Sequence, residues 1–233
     1  FWIGSGYAGY SFRVFAGYID GQGNSELVVS SITVPVGELW VGDATDNVHI
    51  GTNYSDDLSG LGGNDSLSGG SGNDLLTGGA GADSITGGTG ADVLTGGADA
   101  DTFAFGSTGS VSGTAQDEIT DFAKASDILS FTAVTVLAAE SNGTTATSDV
   151  DTTTGGKISF APADDTFAKM VVAILADSEL DVAGSTAFFE FGGDTYVYNA
   201  GTATGGADDQ IIKLTGVTGL VTITDLGTTL TIA

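Results

Sequence analysis

Six aspartates recur every nine residues in the middle of this 233-residue chain, and a bulky apolar residue follows each of them two positions later. The aspartates are Asp56, Asp65, Asp74, Asp83, Asp92 and Asp101. The apolar residues are Leu58, Leu67, Leu76, Ile85, Leu94 and Phe103. Carboxylates and backbone carbonyls are hard oxygen ligands, which suit calcium. The spacing therefore predicts a series of calcium sites.

Each aspartate is the sixth residue of a nine-residue block that begins with glycine, and the blocks start at Gly51, Gly60, Gly69, Gly78, Gly87 and Gly96. The terminal blocks are degenerate, because Thr52 and Tyr54 replace glycines in the first block and Asp99 replaces one in the last. Degenerate ends are expected where a stacked array is capped. The alternative is a flexible Gly/Ser-rich linker, but a linker gives no reason for aspartate and aliphatic residues to keep a fixed phase.

The block divides into six turn residues and a three-residue strand, whose middle residue points to one side of the sheet. That middle residue is the apolar eighth place, so stacked blocks would form interior apolar columns. If two blocks make one coil, aspartates of blocks n and n+2 lie about 5 Å apart, and their repulsion costs roughly 3 kcal/mol per pair at an effective dielectric of about 20. The sequence has no lysine or arginine between Arg13 and Lys124 to offset it. A divalent cation between the turns would remove this repulsion.

The block at 78–86, Gly-Gly-Ala-Gly-Ala-Asp-Ser-Ile-Thr, resembles the RTX (haemolysin-type) calcium-binding nonapeptide repeat. The resemblance implies an all-β fold centred on a parallel β-roll, a calcium-binding solenoid, with ions held between its turns. It also implies the ligands. One block supplies its second and fourth carbonyls and its aspartate, and the block two further on supplies its first and third carbonyls and its own aspartate.

Carried onto this chain, the resemblance implies three calcium sites. The first uses Leu61, Gly63, Asp65, Gly78, Ala80 and Asp83. The second uses Gly70, Gly72, Asp74, Gly87, Thr89 and Asp92. The third uses Gly79, Gly81, Asp83, Gly96, Ala98 and Asp101. A fourth pairing, of Thr52, Tyr54 and Asp56 with Gly69, Ser71 and Asp74, lacks the turn glycines of the other three.

Composition excludes several classes of function. A formal net charge of −25 argues against binding to nucleic acid or to anionic lipid. The chain has no cysteine, so disulfides and thiolate metal sites are absent. The longest apolar run, 170–176, is far shorter than the ~20 residues of a membrane-spanning helix. The N-terminus lacks the pattern of a secretory signal peptide and starts at Phe1 rather than methionine, so we expect a processed product or a fragment.

We expect three parts: an N-terminal β segment (1–50), the repeats (51–104) and a β-rich C-terminal part (105–233). The resemblance implies that the C-terminal part carries an export signal. In the first part, 11–18 and 27–34 read as strands, and the segment's aromatic residues indicate either β-domain packing or a face for sugar or protein. The single histidine, His49, reads as an ordinary strand or loop residue. In the third part, 164–176 reads as a helix with acids in its first turn, and 187–191, 195–198, 210–214 and 220–224 read as strands.

The resemblance extends past the repeats. Residues 117–131, which begin Asp-Glu-Ile-Thr-Asp-Phe, are similar to the segment that follows the roll in many RTX proteins. Residues 191–199 and 213–217 resemble the C-terminal region of type I secreted bacterial proteins, including some surface-layer proteins. This implies a type I exporter as a partner and an uncleaved export signal at the C-terminus. Residues 221–233 themselves read as two closing strands joined by a turn at Gly227.

Two functions remain open. The first is a secreted calcium-binding structural protein at the bacterial cell surface, a surface-layer, filament or adhesin subunit that self-associates when calcium folds it. The second is the calcium and export module of a secreted hydrolase whose catalytic domain lies upstream. The chain has no His-Glu-x-x-His zinc motif and no Gly-x-Ser-x-Gly elbow, so we expect no catalysis within these residues.

Overall fold

The computed structural model describes residues 15–19, 25–29, 36–106, 116–131, 135–136, 150–152, 157–160, 166–176, 185–200, 209–219, 223–225 and 229–232. The described part of the chain is almost entirely strand, with one short helix. It has no helix that is long and apolar enough to cross a membrane. The predicted all-β class, with a central parallel β-roll and one C-terminal helix, is confirmed.

The strands of the N-terminal half are β1 (Phe15–Ile19), β2 (Ser25–Val29), β3 (Leu39–Val41), β4 (Val48–Ile50), β5 (Asp57–Gly62), β6 (Ser66–Ser71), β7 (Leu75–Ala80), β8 (Ser84–Thr89), β9 (Val93–Ala98) and β10 (Thr102–Phe105). The later elements are β11 (Asp117–Ile119), β12 (Ile128–Phe131), β13 (Thr135–Val136), β14 (Val150–Thr152), β15 (Ile158–Phe160), α1 (Phe167–Ala176), β16 (Ser185–Phe191), β17 (Asp194–Asn199), β18 (Gln210–Leu214), β19 (Ile223–Asp225) and β20 (Thr229–Ile232).

Two parallel sheets form the roll, because alternate strands stack on opposite sides. Strands β3, β5, β7, β9 and β11 follow one another in one sheet, and β4, β6, β8, β10 and β12 do so in the other. Leu58 is in register with Leu76, and Leu67 is in register with Ile85. Blocks n and n+2 therefore stack, as the nine-residue period predicts.

The repeat strands are longer than the predicted three residues. Strand β7 continues from the end of one block into the start of the next, and its ladder with β5 resumes at the pair Leu61 and Gly79 after a break at Gly60. Six residues rather than three therefore belong to each of the strands β5 to β9. From Gly60 onward, the first glycine of each block therefore lies inside a strand.

The apolar eighth places fill the interior of the roll. Leu58, Leu67, Leu76, Ile85, Leu94 and Phe103 are all at most 1% exposed. Ile119 lies opposite Leu94, and Leu129 lies opposite Phe103, so the same columns continue beyond the repeats. The strands also pair across residue 51 and across residue 104, so the sheets are continuous at both proposed boundaries between the three parts.

The C-terminal strands extend the first sheet. β18 pairs in parallel with β11, and β17 and β16 follow in antiparallel order. One face of this extension packs on the roll core through Phe188, Val197 and Ile212. The opposite face packs against α1 through a second core that includes Phe189, Tyr198, Val171 and Ile174.

The helix α1 begins at Phe167, later than predicted, and its first turn holds no acidic residue. The reason is Thr166, whose hydroxyl accepts the N–H of Lys169 at 3.4 Å and whose carbonyl accepts the N–H of Met170 at 3.0 Å. This is the position of an N-cap residue. Asp164 and Asp165 lie outside the described residues.

The other strand predictions are confirmed where the residues are described. The predicted strands at 187–191, 195–198 and 210–214 correspond to β16, β17 and β18. The two closing strands β19 and β20 pair in antiparallel fashion, and β20 also pairs with β12. β1 and β2 form an antiparallel pair inside the N-terminal segment, whose remaining predicted strand residues lie outside the described ranges. Trp40 is the one N-terminal aromatic whose side chain is described.

Candidate metal centre

The turns of the repeats use a backbone conformation that favours glycine. From the second block onward, the second and fourth places adopt positive φ, for example 101° at Gly70 and 129° at Gly72. Among the described residues, the non-glycine residues with positive φ are Leu61 (73°) and Asp99 (79°), which occupy a second and a fourth place. The turn is therefore kept even where glycine is replaced in these two blocks.

The blocks that stack in one sheet, n and n+2, form successive rungs of the roll. Each sixth-place aspartate accepts a hydrogen bond from the preceding rung of its own sheet. The N–H of Asp56 donates to Oδ1 of Asp74 at 2.8 Å, and the N–H of Asp74 donates to Oδ1 of Asp92 at 2.9 Å. On the other side of the roll, the N–H of Asp65 donates to Asp83 at 2.7 Å, and the N–H of Asp83 donates to Asp101 at 2.9 Å. Two carboxylate columns therefore run along the roll, one at each row of turns.

The second carboxylate oxygen of the central aspartates has no partner. Oδ2 of Asp65, Asp74, Asp83 and Asp92 is buried without a hydrogen bond, and these side chains are only 1–2% exposed. A buried carboxylate oxygen without a partner is costly. These four oxygens therefore mark places where a cation fits.

A carbonyl oxygen lies beside three of these four orphaned oxygens, those of Asp65, Asp74 and Asp83. A Cβ atom on Gly69 would lie closer than 3.0 Å to both Asp74 Oδ2 and the carbonyl oxygen of Gly87. A Cβ on Gly60 would likewise meet Asp65 Oδ2 and the carbonyl oxygen of Gly78. A Cβ on Gly78 would meet Asp83 Oδ2 and the carbonyl oxygen of Gly96. Each of the three sites implied by the resemblance therefore has its first-place carbonyl beside the aspartate of the preceding rung.

The second-place and fourth-place carbonyls also face the next rung. Cβ atoms built on Gly88 and Gly90 would collide with the carbonyl oxygens of Gly70 and Gly72. In the same way, the carbonyl of Leu61 lies against Gly79, that of Gly63 against Gly81, and that of Gly79 against Gly97. These carbonyls therefore lie between stacked turns, in the same rows as the aspartates.

The third-place carbonyls are less available. The carbonyl of Thr89 accepts the N–H of Gly72 at 2.9 Å, and that of Ala98 accepts the N–H of Gly81 at 3.2 Å. Ala80 lies at the end of β7, in register with Gly62 and Ala98. A ligand role for Thr89 or Ala98 would require its carbonyl to exchange or share this hydrogen bond.

The first block differs from the others at its aspartate. Asp56 Oδ2 accepts the N–H of Thr52 at 2.5 Å, and the Thr52 hydroxyl donates to the same carboxylate at 2.9 Å. Thr52 and Tyr54 do not have the positive φ of the other blocks. Asp56 is therefore satisfied by its own turn, which agrees with the weaker sequence pattern of the fourth pairing.

The aspartate columns carry strong unfavourable electrostatics. Burial, with a contribution from the carboxylates of Asp92 and Asp56, raises the pKa of Asp74 to about 6. Burial likewise raises the pKa of Asp101 to about 6 and that of Asp117 to about 7, with neighbouring carboxylates contributing to both shifts. These groups resist ionisation in the absence of a nearby positive charge.

Two further rungs at each end of the roll were missed by the repeat count. Glu38 and Asn47 precede Asp56 at the same nine-residue spacing, and Trp40 and His49 take the apolar eighth places, opposite Leu58 and Leu67. At the other end, Asp117 and Asp127 accept the N–H groups of Asp92 and Asp101 at 3.0 and 3.2 Å. Two features of the sequence could have revealed these rungs. The nine-residue period continues backward from Asp56, and the pattern Asp-x-aliphatic recurs at Asp117 and Asp127.

A second hydrogen-bond row at the fifth places was also missed. Oδ1 of Asn64 accepts the N–H of Ala82 at 2.8 Å, and Oδ1 of Asn73 accepts the N–H of Ala91 at 3.0 Å. Asp46 Oδ1 accepts the N–H of Asn64 at 2.7 Å. The direction is opposite to that of the inner aspartates, so consecutive turns are tied in both directions.

The donors present fit calcium better than zinc. Within the described ranges, no three side chains of His, Cys, Asp or Glu come together as a metal cluster. A cation between the turns would instead meet two carboxylates and several backbone carbonyls. An all-oxygen set of this kind is what calcium prefers.

The family model of the RTX calcium-binding nonapeptide repeat, four copies, matches residues 50–85 and 77–107. A search among curated proteins found no match. Among solved structures, this chain is similar to the AlgE6R2 subunit of the Azotobacter vinelandii Mannuronan C5-epimerase, with 22% identity over 75% of this chain and 85% of that chain and a TM-score of 0.40. It is also similar to the AlgE6R3 subunit of the same enzyme, with 26% identity over 75% and 73% of the chains and a TM-score of 0.23.

Proposed function

We propose that this chain, which carries RTX calcium-binding nonapeptide repeats, is a secreted structural protein whose roll folds when calcium binds outside the cell. One observation carries the proposal: a buried, unpartnered carboxylate oxygen recurs on four successive aspartates, and on Asp65, Asp74 and Asp83 it lies beside a carbonyl oxygen of the next rung. Without calcium, nothing would offset the repulsion between the stacked carboxylates, and the buried oxygens would remain without a partner.

Calcium would supply positive charge and accept oxygen ligands from both stacked turns. Asp65, Asp74 and Asp83 would each contribute the orphaned oxygen from one rung, and Asp83, Asp92 and Asp101 would close the same sites from the next rung. The backbone holds the carbonyls of Gly70 and Gly72 in place through its left-handed turn. The unfolded chain has no such arrangement, so the free energy of ion binding would appear as free energy of folding.

Extracellular calcium would act as the signal for folding. Sites in extracellular modules bind calcium with dissociation constants on the order of 10⁻⁴–10⁻³ M. In a cytosol poor in calcium the repeats would therefore stay unfolded and could pass through a type I exporter. The three-part division at 50/51 and 104/105, with export assigned to the C-terminal part, belongs to this proposal.

The test is a calcium titration of the full chain, followed by far-ultraviolet circular dichroism. We expect strand content to rise cooperatively between chelator and millimolar calcium. Magnesium should give a much smaller response, because it requires a smaller octahedral site and keeps its water ligands. Equal responses to the two ions, or no change with either, would contradict the proposal.

The structural role is supported by the apolar N-terminal edge of the roll. Strands β3 and β4 end their sheets in the described part of the chain, and Val41, Val48 and Ile50 are 57%, 80% and 69% exposed there. Electron microscopy with and without calcium tests self-association. Sheets or filaments that form only with calcium would support a surface-layer, filament or adhesin subunit, whereas dispersed single particles would favour the export module of a secreted hydrolase.

Export is tested separately. Deletion of residues 221–233 in a producing cell should retain the protein inside the cell, and fusion of the C-terminal part to a passenger should carry the passenger out. Normal amounts of the truncated protein in the medium would assign these residues a structural role alone.

A further inference from the structure

Asp117 continues one carboxylate column although it lies outside the nonapeptide repeats. It follows Asp101 by 16 residues instead of nine, and the matched family region ends at residue 107. Its Oδ1 nevertheless accepts the N–H of Asp92 at 3.0 Å, as Asp92 accepts the N–H of Asp74 one rung earlier. Asp117 is thus the sixth-place aspartate of a rung whose sequence has lost the repeat.

The backbone around Asp117 keeps the register of the repeats. Glu118 lies opposite Val93 and Ile119 lies opposite Leu94 in parallel strands. The N–H of Glu118 donates to the carbonyl of Asp92 at 2.8 Å, as the N–H of Val93 does to the carbonyl of Asp74. The rung therefore places the Asp117 carboxylate where a repeat aspartate would lie.

The neighbouring rung shows the mark of a cation position. Asp92 is 1% exposed, and its Oδ2 is buried without a hydrogen-bond partner. Gly88 and Gly90 have φ of 113° and 133°, the same left-handed turn as in the preceding blocks. Asp92 thus has an unpartnered buried oxygen, as Asp74 does, but the repeats contain no block two places further on to stack against it.

Asp127, the counterpart of Asp117 on the other column, has hydrogen-bond partners on both carboxylate oxygens. Asp127 Oδ2 accepts the N–H of Ala123 at 2.8 Å, and its Oδ1 accepts the Ser126 hydroxyl at 3.2 Å as well as the N–H of Asp101. This carboxylate is satisfied by its own loop, in the way that Thr52 satisfies Asp56. Among the described residues, Asp117 accepts one hydrogen bond, through Oδ1, whereas Asp127 accepts three, through both of its oxygens.

We propose that Asp117 is a calcium ligand supplied from outside the nonapeptide repeats and that, with Asp92, it forms a further cation site at the C-terminal end of one column. Asp127 ends the other column without binding an ion. The inference rests on the proposed calcium function, and it adds a site that the repeat pattern alone does not contain. Its consequence is that the roll and the segment after residue 116 fold as one calcium-dependent unit.

The test compares the full-length chain with its Asp117→Asn and Asp127→Asn variants. Asparagine keeps an oxygen that can accept the N–H of the previous rung, while the negative charge is lost. Equilibrium dialysis with radioactive calcium should show one bound ion fewer for Asp117→Asn than for the unchanged chain. Asp127→Asn should bind the same number of ions as the unchanged chain.

A second measurement keeps the inference testable if Asp117→Asn does not fold. Crystals of the unchanged chain with terbium should show an anomalous peak about 2.3–2.6 Å from the Asp117 carboxylate, a distance suited to calcium-type coordination. Peaks between repeat rungs without one at Asp117, or equal calcium counts for the folded variants, would overturn the inference alone. Absence of calcium binding to the unchanged chain would instead overturn the proposed function.

Discussion

The Oδ2 atom of Asp74 occupies the space that a side chain on Gly69 would need, since a Cβ there would lie closer than 3.0 Å to it and to the carbonyl oxygen of Gly87. Gly69→Ala should therefore push apart the two rungs that form the central site. We expect a loss of about 1–3 kcal/mol in the stability of the calcium-bound roll, as for other overpacked positions. Thermal unfolding in saturating calcium measures this change.

Gly106→Ala is the matched control, because a Cβ on Gly106 would meet nothing within 4 Å and its backbone lies outside the positive-φ turns. It should change the unfolding temperature little. Equal destabilisation by the two substitutions would show that the space beside Asp74 is not required.

Central aspartates should matter more to calcium binding than the first one. Asp83 has an orphaned oxygen and would serve two of the three sites, whereas Asp56 is already satisfied by Thr52. We predict that Asp83→Asn raises the calcium midpoint for folding by at least about tenfold, which corresponds to about 1.4 kcal/mol. Asp56→Asn should shift it much less. Equal midpoints in parallel titrations would contradict the pairing of blocks n and n+2 in ion binding.

Acid should stabilise the calcium-free roll. The folded-state pKa values of Asp74 and Asp101 are about 6 and that of Asp117 is about 7, while aspartate in an unfolded chain titrates near 3.9. The folded state thus binds protons more tightly, and its stability falls as pH rises from about 4 to about 7. In chelator, circular dichroism should show more strand at pH 5 than at pH 8. More strand at pH 8 would reverse the sign and refute this electrostatic explanation.

Calcium and protons should compete for the same carboxylates. Because the raised pKa values lie near 6 to 7, calcium binding at pH 6 should release protons, and the calcium midpoint for folding should fall as pH rises to 8. Titrations in lightly buffered solution with a pH indicator measure the release. A midpoint independent of pH, with no protons released, would mean that the buried aspartates are not the ligands.

The fifth-place asparagines should stabilise the turns independently of calcium. Asn73 Oδ1 accepts the N–H of Ala91 at 3.0 Å, so Asn73→Ala should cost about 0.5–1.5 kcal/mol, the usual contribution of one hydrogen bond. Asn53→Ala, in an exposed turn, serves as the control. Urea unfolding at saturating calcium compares them, and identical stabilities for the two variants would remove the proposed role of this row.

The stacking of the roll could be predicted from the sequence because period and phase both persist through six blocks. A fixed phase places every eighth residue in the core, and an aspartate in every turn requires a common partner. The strand length could not be read in the same way. Glycines were assigned to turns because they permit positive φ, yet from Gly60 onward the first glycine of each block lies inside a strand.

The ends of the roll were harder to predict, because the residue types at the sixth and eighth places or the spacing change there while the strands continue to stack. At the N-terminal end the eighth places are Trp40 and His49, whose rings stack with centroids 4.2 Å apart, and Glu38 contacts His49 at 3.1 Å. An aromatic pair can cover the end of an apolar column, but it does not match an aliphatic pattern. At the C-terminal end an insertion before Asp117 breaks the nine-residue count, and hydrogen bonding to Asp92 reveals the continuation.

Hydrogen exchange of the full-length chain, followed by mass spectrometry of its peptides, tests the central claim that calcium completes the aspartate columns. In chelator at pH 7.5, we expect the amides of residues 56–98 to exchange as in an unfolded chain. Millimolar calcium should slow their exchange by at least about a hundredfold, which corresponds to about 2.7 kcal/mol of stabilisation. The same protection of these amides with and without calcium would contradict the account, because the columns would then be stable without a cation.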